Sequence, residues 1–85
     1  QPSDLELRAK FADELVKAGQ FQDAETVLQG ILAADQSNAG AWNKLGRVYV
    51  EVKKTDEALK AFRKAIELRP DLTEAREELK RATSK

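Results

Sequence analysis

The stretch Trp42–Pro70, WNKLGRVYVEVKKTDEALKAFRKAIELRP, decides the fold. In its first half Trp42, Leu45, Tyr49 and Val52 recur at spacings of three and four. That is the apolar stripe of an amphipathic helix over 39–52. In its second half Ala58, Phe62, Ala65 and Ile66 do the same over 55–68. Lys53-Lys54 separates the two helices. Pro70 stops the second, because proline brings no N–H and clashes with the preceding turn. Asn38 and Thr55 are the expected N-caps, since their side-chain oxygens can accept from orphan N–H groups of the first turn. Asp71 with Glu74 resembles a capping box, opening a further helix over 73–83.

Working outward, the pattern recurs at a shift of 34 residues. Phe11 falls on Leu45, Ala12 on Gly46, Leu15 on Tyr49, Ala24 on Ala58 and Leu28 on Phe62. Large meets large and small meets small, with Ile31 over Ala65 the main exception. The repeating unit therefore runs over 5–38 and again over 39–72, and 73–85 begins a third. Gly19-Gln20 breaks the first pair of helices, and Ser3 with Glu6 forms a candidate capping box. The expectation is an all-α fold of helical hairpin repeats with five helices, in one domain over 1–85. Ala12, Gly46, Ala24 and Ala58 would sit where the helices of each pair meet. Small residues there let two axes approach to the near end of the usual range of about 8–10 Å.

Composition removes whole classes of function. The chain has 85 residues, 15 basic and 15 acidic side chains, and neither cysteine nor histidine. Disulfides, thiolate catalysis and Cys-ligated zinc are excluded. The commonest general base is missing, so only a carboxylate, a lysine or a tyrosine could act as one. No enzyme and no cofactor is expected. A net charge of zero supplies no positive field for nucleic acid. The apolar runs are too short for membrane insertion. The zero hides an asymmetry: 1–38 carries three basic and seven acidic residues, and 39–85 carries twelve and eight. Such halves could pair two copies head to tail; the alternative is a chance imbalance on solvated faces.

The second unit resembles the tetratricopeptide repeat (TPR) family. The family's Trp, Leu, Gly, Tyr, Ala, Phe, Ala and Pro positions fall on Trp42, Leu45, Gly46, Tyr49, Ala58, Phe62, Ala65 and Pro70. The first unit is looser, with Arg8 in the Trp slot, Ile31 in the second Ala slot and Gln36 in the Pro slot. Arg8 in an otherwise apolar slot suggests that this end is less covered, or covered by something outside this stretch. Residues 73–85 resemble the helix that closes many such arrays, with Ala75 and Leu79 turned inward. Pro2 stands 68 residues before Pro70, where a preceding repeat would end. It reads either as a trace of an upstream repeat in a longer protein or as an ordinary proline near a helix start.

The resemblance implies a scaffold that binds a protein partner, with an extended peptide or partner helix lying along the first helix of each pair. Carried over residue by residue, the lining positions include Lys10, Asp13, Val16 and Lys17 from the first repeat and Asn43, Lys44, Arg47 and Val50 from the second. Glu74 would border the far end. One TPR subgroup grips the C-terminal carboxylates of chaperones with a set of cations and amides. Here the matching positions hold Ala9, Asp13, Lys44, Glu74 and Glu78, and the acids would repel such a tail.

Several charges are expected to pair along their own helices, as Asp13→Lys17 and Glu77→Arg81 at i,i+4. Lys44 has no such partner. Asn43, Lys44 and Arg47 therefore form the candidate contact for an acidic or carboxylate-bearing peptide. The competing reading pairs Arg47 with Asp13. Trp42 and Tyr49 are expected in the core rather than as a stacking platform for bases. Gly30 either admits a neighbouring chain or is a tolerated exposed position. A self-assembling segment of a longer superhelix, that is, a homo-oligomer, is the alternative function.

Overall fold

The computed structural model describes residues 4–83. Five helices follow one another: α1 (Asp4–Lys17), α2 (Phe21–Ala34), α3 (Ala39–Glu51), α4 (Thr55–Leu68) and α5 (Thr73–Thr83). No strand occurs among the described residues. The fold is all-α, as expected. Three or four residues join each helix to the next, so successive helices must turn back and pack as neighbours. They do: α1 packs on α2, α2 on α3, α3 on α4 and α4 on α5, and α3 also touches α5.

The two hairpin turns are built alike. Gly19 has φ +78°, and Lys53, 34 residues later, has φ +65°. In the first, Gly19 N–H donates to the Val16 carbonyl at 3.0 Å and Gln20 N–H to that of Leu15 at 2.8 Å. In the second, Lys53 donates to Val50 at 3.1 Å and Lys54 to Tyr49 at 2.8 Å. This is the Schellman closure, which satisfies the last carbonyls of a helix through one left-handed residue. Glycine adopts that conformation without steric cost, whereas Lys53 carries a Cβ into it.

The caps follow the sequence in part. The Asn38 side chain accepts from Ala41 N–H at 3.0 Å, as expected of an N-cap. Thr55 does not cap: it is the first residue of α4, and Lys54 precedes it without a side-chain cap bond. The Asp71–Glu74 box does not form either. Asp71 faces Arg69 at 3.6 Å, and the Glu74 carboxylate is taken by Asn43. Pro2, and Ser3 of the Ser3–Glu6 box, lie outside the described residues. Helix α4 ends at Leu68, two residues before Pro70, because a proline disfavours helical geometry at the residue before it.

The core runs from Ala12, Leu15, Ala24, Leu28, Ile31 and Leu32 to Ala41, Leu45 and Val48. Phe62, Ala58, Ala61, Ala65 and Ala75 are also buried. Trp42 and Tyr49 are half-buried against this core, and Trp42 Nε1 donates to the Gln36 carbonyl at 3.0 Å. The small residue at 46 is essential to the packing. A Cβ there would stand 2.5 Å from Cε1 of Phe62 and 2.7 Å from Cδ1. Gly30 is exposed and has nothing of this chain within 4 Å of such a Cβ, so no packing within the chain requires a glycine there.

Phe11 differs from its register mate. Leu45 is 3% exposed beneath α2, whereas Phe11 is 56% exposed and Leu7 51%. The face that α2 covers on α3 has no covering helix on α1 among the described residues. Arg8 on the same helix is exposed as well.

Candidate functional site

The outward faces of α1 and α3 meet the start of α5 around an open groove of about 260 Å³. Asp13, Val16, Lys17, Lys44, Arg47 and Glu74 line it. Asp13, Val16 and Lys17 stand at three- and four-residue spacings on α1, as do Lys44 and Arg47 on α3, so each set shares one helix face. The groove thus brings together five of the expected lining positions, Asp13, Val16, Lys17, Lys44 and Arg47, with Glu74 bordering them. Lys10 and Val50 do not line it. Both are exposed, Lys10 a turn before Asp13 on α1 and Val50 a turn beyond Arg47 on α3.

Asn43 lies beneath the surface, 2% exposed. Its Nδ2 donates to Glu74 Oε1 at 2.8 Å, tying α3 to α5. The amide orientation follows from chemistry, since an ionised carboxylate only accepts and the opposite orientation would set two acceptors face to face. Its Oδ1 is buried and has no hydrogen-bond partner among the described residues. Asn43 is therefore a buried residue that holds Glu74, not an exposed contact.

The Lys44 ammonium sits 2.8 Å from Asp13 Oδ1 and 3.0 Å from Oδ2. Lys44 lacks a partner on its own helix but has one across the groove. This overturns two local expectations. Asp13 does not pair with Lys17, which instead reaches Glu14 at 3.4 Å. Nor does Asp13 pair with Arg47. On α5, Arg81 pairs with Glu78 at 3.1 Å rather than with Glu77.

Both cross-helix contacts, Asp13–Lys44 and Asn43–Glu74, join residues 31 apart. That is one turn short of the repeat, so each first helix touches the next with a three-residue offset. The same offset would match Arg47 with Glu78. Glu78 is held by Arg81, and exposed Arg47 makes no ion pair among the described residues. The offset is the signal that reading along single helices missed. Among the described residues no three acidic side chains gather so as to hold a metal ion, and no helix is long and apolar enough to cross a membrane.

Residues 10–73 match the tetratricopeptide repeat family. Superkiller complex protein 3 of Mus musculus is 43% identical over 58 residues, which cover 68% of this chain and 4% of that protein. Human protein O-mannosyl-transferase TMTC1 is 33% identical over 70 residues, covering 82% of this chain and 8% of the transferase. The chain thus spans a small part of the curated relatives it matches. Among solved structures, the crystal structure of a tetratricopeptide repeat domain protein from Salinibacter ruber superposes with a TM-score of 0.84 at 23% identity, covering 94% of this chain and 96% of that one. A solution structure of a tetratricopeptide repeat domain protein from the same organism gives 0.84 at 24% identity, over 98% and 90%. These likenesses show the fold.

Proposed function

The chain belongs to the tetratricopeptide repeat family, and on that premise we propose that its groove between α1, α3 and α5 binds an acidic peptide or partner helix without catalysing a reaction on it. A protein-interaction role is what this fold supports in general; the acidic ligand is the finer reading. In it, the repeats over 5–38 and 39–72 and the closing segment 73–85 form one binding unit.

The observation that carries the reading is the state of Arg47. It lines the groove, is exposed and has no ion pair among the described residues. Its acidic neighbours are already engaged, Asp13 by Lys44 and Glu74 by Asn43. A guanidinium in that setting is poised for a two-pronged bond to a carboxylate. Lys17, held only at 3.4 Å by an exposed Glu14, adds a second charge on the same rim.

A display selection of random and C-terminal peptides against the chain tests this. Enrichment of acidic sequences by the wild type, lost with Arg47→Glu, supports the proposal. Acidic sequences enriched equally by both would remove Arg47 from the site, and no acidic bias would remove the ligand class.

A further inference from the structure

We infer that the chain associates head to tail, the outer stripe of α1 in one copy seating in the groove between α4 and α5 of the next. The contact uses neither Arg47 nor Lys44, so it stands or falls apart from the peptide site.

The head is the stripe Asp4, Leu7, Phe11 and Glu14, spaced by three and four along α1. Leu7 and Phe11 are the two most exposed large apolar side chains on the described surface. Their register mates one repeat on, Ala41 and Leu45, are each 3% exposed because α2 packs over them. The head is thus an apolar face whose equivalent in the same fold is covered by a helix. Exposed carboxylates stand at both ends of it, and Arg8 and Lys10 flank it.

The tail is an open groove of about 280 Å³. Ile66 of α4 and Leu79 of α5 are its half-buried apolar floor. Arg63, Arg76 and Lys80 rim it. None of these three cations forms an ion pair among the described residues, although acidic side chains are abundant on both helices. Apolar floor and cationic rim together complement a stripe of two apolar residues between two carboxylates.

The two surfaces do not pack on one another within one molecule: α1 packs on α2, and α4 and α5 pack on each other and on α3. The contact therefore joins different patches on two copies, which leaves a free head and a free tail after each addition. The opposed charges of the halves, three basic with seven acidic before residue 39 and twelve with eight after it, favour the same direction of approach. One helix in one groove is a small interface, so the association is concentration-dependent and weakened by salt.

Sedimentation equilibrium of the full chain tests it. At low ionic strength the average mass should rise with concentration past that of a dimer, and it should fall back towards the monomer at about 1 M salt, where the screening length is about 3 Å. Phe11→Lys breaks the head, and Arg76→Glu with Lys80→Glu breaks the tail. Each variant alone should remain monomeric, with wild-type helicity by circular dichroism. Mixed, they retain one intact head and one intact tail, so they should form a one-to-one dimer and nothing larger. A mass independent of concentration would overturn the inference. So would association of either variant alone, or a mixture that stays monomeric.

Discussion

Lys44 of α3 and Asp13 of α1 form a two-oxygen ion pair at 2.8 and 3.0 Å across a gap of 31 residues, and both side chains line the groove. Both side chains keep solvent contact, at 30% and 45% exposure. Its contribution to stability is accordingly about 1 kcal/mol or less. Its larger effect is on charge, because it neutralises one of the cations facing the groove.

Asp13→Asn should therefore lower stability by under about 1 kcal/mol in a denaturant melt. It should also tighten binding of an acidic peptide several-fold by freeing Lys44. Weaker binding by this variant, measured by fluorescence anisotropy, would mean that Asp13 contacts the ligand itself.

Two glycine substitutions should move stability in opposite directions. Gly46→Ala drives a methyl into the buried Phe62 ring, a clash expected to cost about 1–3 kcal/mol, offset in part by the helix preference for alanine. Gly30→Ala meets open space and should gain up to about 1 kcal/mol. Thermal or urea melts report both.

The left-handed Lys53 gives a third. Lys53→Gly relieves a strain of about 1–2 kcal/mol and increases the freedom of the unfolded chain, for a net gain below about 1 kcal/mol. Gly19→Ala at the equivalent turn should lose stability. If both changes are neutral, the two turns do not hold their Schellman geometry in solution.

Tyr49, the one tyrosine of the chain, should ionise above its ordinary value of 10.0. Burial is the main cause, since it disfavours the phenolate; a Gln29 hydrogen bond opposes it, and the Glu25 charge adds to the rise. The neutral hydroxyl donates to Glu25 Oε2 at 3.2 Å. With the folded pKa above the unfolded one, this contribution to stability is complete below about pH 10 and is lost as pH climbs through the folded value. Ultraviolet titration should show the raised midpoint. Tyr49→Phe should flatten the alkaline decline in melting temperature.

Most of the fold was legible because it is written locally. Trp42, Leu45, Gly46 and Tyr49 announce one helix, Ala58, Phe62 and Ala65 the next, and a shift of 34 repeats the pair. Asn38 was readable as a cap because its partner lies three residues away. The site was harder to read. Asp13 has lysines at i+4 and i+31, and only the tertiary placement of α3 beside α1 determines that the distant one wins. Glu74 reads as a capping residue until α5 is docked and Asn43 claims it. The exposure of Phe11 shows the limit of register arguments. Identical positions in a repeat share a backbone but not the neighbour that covers them.

The central claim, that the α1–α3–α5 groove takes an acidic ligand through Arg47, is most directly tested by titrating the isotope-labelled chain with a glutamate-rich peptide and following amide shifts by NMR. The account predicts the largest changes at Val16, Lys17, Lys44, Arg47 and Glu74, and their loss in Arg47→Glu. Changes confined to Leu7 and Phe11 or to Arg63, Arg76 and Lys80, with the groove silent, would contradict it.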